Sequence, residues 1–253
     1  MAESTPFADS FDDPRITAQF CRHLPGTASS LVLLGVVHDH PASVARVERV
    51  LERVDPETLA LELPAAALPL YRVYARDGDG GDTAPRFGGE MSAAIRAAPD
   101  ADAVGIDAPN WSFLRELLTR LIADRVSPAT ARRVVSSLGG ATREALACRI
   151  AATLTHATPM TVAPDEPIEY DCDIDDSPEQ QAAHERSHVA AVQALLGSVD
   201  TDGSALAYRD ETREHCMIDR LEALRSERGD VVAVVGVDHL ERLAMGLSTD
   251  RCH

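Results

Sequence analysis

Residues 31–64, LVLLGVVHDHPASVARVERVLERVDPETLALELP, constrain the fold more than any other part of the chain. An apolar run from Leu31 to Leu34 leads into Gly35, two valines and then His38, Asp39 and His40, and Pro41 opens a segment of helical periodicity. Val44, Val47, Leu51 and Val54 recur at intervals of three and four, with Arg46, Glu48, Arg49 and Glu52 on the outward side. A second apolar run over 58–61 ends in Glu62. Strand, helix and strand on so short a connection read as a parallel βαβ unit, whose strand C-terminal ends share one edge of the sheet. His38 and Glu62 are therefore expected as neighbours.

The start of this stretch has an echo near the other end of the chain. GVVH at 35–38 and GVDH at 236–239 each follow a β-rich run and precede a helix. Glycine permits a sharp turn at the strand end, and the histidine three residues on is then carried above the sheet edge. In an α/β sheet the two copies can face one another across the crevice, with Glu62, Glu90 and Asp107 supplied by the intervening strand and loop ends. Two histidines with carboxylates suit a first shell for Zn, Mn or Co, or alternatively a general base with an orienting acid. The residue types do not choose between these. Glu62 and Asp107 are equally suited to capping the helices that follow them, and Glu90 to a first-turn position favoured by the helix dipole. His40, beside Pro41, is expected to support the site rather than to bind in it.

The rest of the chain fits an α/β fold with a mainly parallel central sheet, flanking helices and an inserted helical subdomain. Residues 15–22 (RITAQFCR) read as an edge strand pairing with the run at Leu31 through a turn at Pro25 and Gly26. A short helix is expected over 65–74, an exposed loop or lid over 77–89 (DGDGGDTAPRFGG), a helix from Glu90 to Ala97, and a third strand over 103–106 that stops at Asp107. Helical periodicity over 111–157 marks the subdomain, and the proline-rich, acidic 159–178 is a connector. Helices over 179–196 and 205–227, a strand over 231–235 and a terminal helix to about Met245 complete one domain spanning 14–250. Residues 1–13 are expected to be a disordered acidic lead.

The formal charge is -17, and all 24 basic residues are arginine. Such a surface repels nucleic acid and anionic lipid. Its acid is spread along the whole chain, which fits a salt-rich, halophilic cytoplasm better than recruitment of a cationic substrate. Five scattered cysteines without a CxxC suit free thiols in a reducing compartment. No apolar run approaches the roughly 20 residues of a membrane span. The acids at 171–176 lack the spacing of a calcium loop and are expected to be solvated.

His184 to His188 spells HERSH, an HExxH pattern that on a helix sets two histidines one turn apart beside a glutamate, as a zincin protease requires. Arg186 inside the pentad, the polar SPEQQAA before it and the lack of an extended downstream motif weigh against that reading. His184 is expected in solvent and His188 at the border of a buried stripe of Val189, Val192, Leu195 and Leu196.

The order GVVH, helix, LALELP, then FGGEMSAAIRAA, AVGID, YRDETREHCMIDRLEAL and VVAVVGVDHLERL resembles the TraB/PrgY family. That family also takes in GumN-like proteins and the TIKI proteases, and relates more distantly to erythromycin-esterase-like (EreA) and ChaN-like proteins. The resemblance implies a site of His38, His239, Glu62 and Glu90 with the Arg209–Asp210 pair, although Asp107 is followed by Ala108 where the family commonly has an acid–arginine pair; Asp107 and Asp238 are secondary candidates beside it. It also implies metal-dependent hydrolysis of a peptide or a small amide or ester. Within that reading His38 and His239 hold the metal, Glu62 or Glu90 adds a ligand or acts as base, and Arg209 steadies the oxyanion. The alternative is a non-catalytic module of the same fold that binds a peptide or small ligand, or assembles with itself.

Overall fold

The computed structural model describes residues 7–26, 29–76, 85, 87–107, 168–197 and 205–249. The helical subdomain expected over 111–157, most of the loop at 77–89 and the first half of the connector lie outside them.

Five strands among the described residues form one mixed sheet: β1 (Cys21–Leu24), β2 (Leu31–Val36), β3 (Thr58–Pro64), β4 (Asp102–Asp107) and β5 (Val231–Gly236), in the spatial order β1-β2-β5-β3-β4. Only β1 runs antiparallel to its neighbour. The edge strand pairs with β2 as its sequence implies, but it begins at Cys21 rather than at Arg15. β2 and β3, consecutive in sequence, are not adjacent, because β5 pairs with both. His38 and Glu62 therefore rise from strands separated by β5, and the expected direct neighbourhood gives way to a place on the same sheet edge.

Alternation along the strands builds a three-layer molecule, each layer burying the apolar face of the next. Val32, Leu34, Val36, Leu59, Leu61, Val232 and Val234 face α1 (Pro41–Val54) and α3 (Gly89–Ala97). Leu31, Leu33, Ala60, Val231, Ala233 and Val235 face α5 (Ala205–Arg228) and α6 (Val237–Thr249) through Met217, Leu221, Leu240 and Leu243. Buried on both faces, β2 and β5 are near-continuous apolar runs. Two further helices complete the described part: α2 (Leu68–Tyr74) and α4 (Pro178–Gly197). The lead expected to be disordered is folded from Phe7 onward, where a short 3-10 helix (Phe7–Ser10) buries Ala8 and lays Phe7 and Phe11 against the core.

Gly35 has a role other than a turn. It lies within β2, and a Cβ there would come within 2.8 Å of Leu240 Cδ2, so the missing side chain lets α6 close on the sheet. The left-handed position of this turn falls instead on Asp39, at φ 56°, where aspartate is tolerated better than most residues.

Arg46, expected on the outer face of α1, is fully buried. Its guanidinium donates to the carbonyls of Arg15 (2.6 Å) and Gly35 (2.8 Å), lies over the Phe20 ring at 4.1 Å, and pairs with the equally buried Glu185 of α4. Glu185 also accepts from Ser43 at 2.5 Å. Breaking a buried pair strands one charge, which costs about 3–5 kcal/mol, whereas an apolar pair of similar volume is often neutral. Glu185→Gln is expected to lower the urea unfolding free energy by roughly 3 kcal/mol, and Arg46→Met combined with Glu185→Leu to recover much of the loss.

Candidate active site

The site lies above the C-terminal ends of β2, β5 and β3, where a cavity of about 300 Å³ is lined by Val36, Val37, His38, Glu62, His188, Val189, Val192, Gly236, Asp238 and His239. Both GxxH histidines thus look into one space. Each belongs to a separate polar wall.

The first wall is the turn after β2. Ser43 Oγ accepts the Val37 N–H (2.8 Å), which fixes the start of the turn. Glu90, almost wholly buried in the first turn of α3, accepts the Asp39 N–H (2.9 Å) with one carboxylate oxygen and meets His38 Nδ1 (3.1 Å) with the other. Its approach requires Gly88 and Gly89, both at positive φ, and a Cβ on Gly89 would collide with the Asp39 carboxylate. The connector closes over this turn: the Tyr170 hydroxyl donates to the His38 carbonyl (2.7 Å) and the Ile168 N–H to Asp39 Oδ2 (3.0 Å). Burial, with the charges of Asp39 and Glu90 adding to it, pushes the Tyr170 hydroxyl up to about 12, so it remains a donor. The His38 side chain keeps 53% exposure, enough to meet a ligand.

The second wall is built around Glu62. One of its oxygens accepts the Gly236 N–H (2.6 Å), and the other accepts from Arg213 (2.7 Å) and lies 3.4 Å from His239 Nε2. Arg213 also grips Asp107 through two bonds of 2.5 and 2.7 Å, the planar fork that arginine offers and lysine lacks. Burial opposes the charge on Arg213, but Asp107 and then Glu62 outweigh it and raise its pKa. Burial likewise raises the Glu62 carboxyl above its ordinary range, only partly offset by His239 and Arg213. His239 Nδ1 meets Glu214 at 2.8 Å, and Glu214 is held in turn by Arg242. An ionised carboxylate only accepts, so Nδ1–H donates to Glu214, and Nε2 faces Glu62.

The expected residues thus divide between the walls. His38 and Glu90 sit with Asp39 on the first, Glu62, His239 and Asp107 on the second, and Asp238 lines the cavity. Glu62 is not seen as a helix cap, being used by Gly236 and Arg213; Asp107 meets Arg213, and the helix it was expected to cap lies outside the described residues. The side chain of Arg209 lies outside the described residues; among the described residues Arg213, one turn further along α5, meets Glu62 and Asp107. Projecting the buried stripe of Met217, Leu221 and Leu224 back by three and four residues would have found Arg213 and Glu214. His38 forms a potential ligand group with Asp39 and Glu90, their donor atoms within 4.8 Å of one another, and His239 is not part of that group.

The three reactive residues of HERSH face different surroundings. Glu185 is locked by Arg46 and Ser43, His184 Nδ1 lies 2.9 Å from His40 Nε2, and only His188 reaches the cavity. The buried face of α4 is Gln181, Ala182, Glu185 and Val189, while Leu195 is exposed.

His40 is more central than its place beside Pro41 suggested. Completely buried, it caps α1 by accepting the Ala42 N–H at Nδ1 (3.1 Å), which leaves the proton on Nε2 to donate to His184. Burial first, then the neighbouring His184, His188 and Arg46, push its pKa down to about 4.

No protein-family model matches the chain, and neither does any curated protein or solved structure. The resemblance to the TraB/PrgY family therefore rests on the ordered motifs alone. No described helix is long and apolar enough to cross a membrane.

Between the ordinary histidine value of 6.5 and about 4, His40 takes up a proton in the unfolded chain but not in the folded one. In chelator-treated protein the unfolding free energy should therefore fall as pH drops through that window, by up to about 1.4 kcal/mol per pH unit from this residue. His40→Asn, which keeps a capping acceptor, should remove that part of the slope in urea titrations run across the window.

Proposed function

We propose that the chain is a metal-dependent hydrolase acting on a peptide or a small amide or ester, with the cavity between the two walls as its active site. One observation carries this reading: a histidine–carboxylate group suited to a cation and a separate carboxylate–histidine–carboxylate chain suited to proton transfer line the same small space. His38, Asp39 and Glu90 would hold the ion, and one imidazole with two carboxylates fits Zn, Mn or Co. When bound, such an ion supplies Lewis acidity and lowers the pKa of water at the site.

Glu62 serves as general base. Its burial raises its proton affinity toward the working range of such a group, and the Gly236 N–H and Arg213 fix both of its oxygens. His239 passes the proton on toward the leaving group, and Glu214 holds its tautomer and orientation, the part that the acid plays in hydrolytic triads. Arg213 is a positioning residue that ties Glu62 to Asp107. Val36, Val189 and Val192 make the remaining wall apolar and limit competing water. The resemblance to TraB/PrgY and TIKI-like proteins supports the same chemistry and an EreA/ChaN-like variant of the α/β fold. Buried thiols at Cys21 and Cys172 support a cytoplasmic setting.

Screening a peptide and ester library with metal-stripped protein should show turnover that Mn(II), Co(II) or Zn(II) restores. Glu62→Gln and His239→Ala should each lower kcat at least about a hundredfold while leaving the protein folded. Undiminished turnover in both folded variants would overturn the assignment.

A further inference from the structure

We propose that His40, Cys172 and His184 form a second metal site, for zinc or a zinc-like ion, that clips the connector onto the β2–α1 turn. The three residues come from different parts of the chain: the turn after β2, the connector ahead of α4, and α4 itself. Their donor atoms lie within 4.8 Å of one another. His40 and Cys172 are buried and His184 is half-buried, so the site is sheltered yet within reach of solvent. Tyr170 flanks it, its ring 4.8 Å from that of His40 and 6.2 Å from that of His184.

One thiolate and two imidazoles are the donors that borderline-soft ions prefer, in a four-coordinate shell completed by water. That preference separates this site from the carboxylate-rich group at His38, which suits harder ions. The two imidazoles already share a proton over 2.9 Å between His40 Nε2 and His184 Nδ1, and a cation takes that proton's place. On binding, the Cys172 thiol releases its proton to solvent, and the His40 proton moves from Nε2 to Nδ1, so one proton leaves for each ion bound. The move costs His40 its cap bond to the Ala42 N–H, which is small beside the free energy of a structural zinc site. Burial first, then the acids near it with Asp176 foremost, raise the Cys172 thiol while no ion is present, and a divalent charge at the sulfur reverses that balance.

The connector also carries Tyr170 and Ile168, which bond to His38 and Asp39. An ion at Cys172 would therefore fasten the segment that closes over the first wall of the cavity.

Full-length protein stripped of metal and titrated with Co(II) tests this. The expected result is a thiolate-to-cobalt charge-transfer absorption whose final intensity corresponds to one thiolate-bound ion per chain and which Zn(II) displaces. Cys172→Ser should abolish the band and His184→Ala should weaken ion affinity at least tenfold, with far-ultraviolet circular dichroism showing both variants folded. Glu90→Gln should keep the band, which separates this site from the one proposed for hydrolysis. Absence of the band in the parent protein, or its persistence in Cys172→Ser, would overturn the proposal.

Discussion

Everything at the candidate site depends on the pairing of β2 with β5. Leu31 to Val36 lie in parallel register with Val231 to Gly236, so strands from opposite ends of the chain share the centre of the sheet. Their side chains are almost wholly buried on both faces, and a slip of one residue would exchange every one of them between the two cores. The register is thus strongly fixed, and with it the heights of His38 and His239 above the sheet edge. Parallel pairing at this sequence separation requires the intervening chain to be gathered first, so the site is assembled by the completed fold and not by any local segment.

Buried charge then organises what packs around that centre. Arg46 and Glu185 join α1 to α4 through the interior, and Arg213 joins Asp107 and Glu62 across the ends of β4 and β3. In an acid-rich chain whose basic residues are all arginine, the guanidinium fork can satisfy two acceptors at once, and it remains charged when buried. The acids of the site are held in place by such partners, with Glu62 and His239 lining the cavity. Asp39 and Glu90 are fixed differently, by backbone N–H groups and by glycines that allow two turns to touch.

The sequence was most readable where structure is local. Apolar runs ending in a histidine or an acid marked β2, β3, β4 and β5, and helical spacing marked α1, α4 and α5 to within a few residues. Long-range relations were less visible. Nothing in the order of the runs required β5 to lie between β2 and β3. Arg46 read as a surface charge because periodicity assigns charge outward, and only its distant partner Glu185 makes burial tolerable. The same holds for His40 and His184, which meet across 144 positions. The glycine of GVVH had a visible importance but a different cause, since it admits Leu240 rather than bending the chain. HERSH was a sequence pattern whose residues the fold turns to three separate tasks.

A crystal structure of the protein grown with Mn(II), read through its anomalous scattering, addresses the claim that the two walls form one working centre. The account predicts an anomalous peak bonded to His38, Asp39 and Glu90, with Glu62 and His239 facing it across the cavity. His38 and His239 opening onto separate surfaces, or manganese bound elsewhere while the His38 group stays vacant, would contradict it.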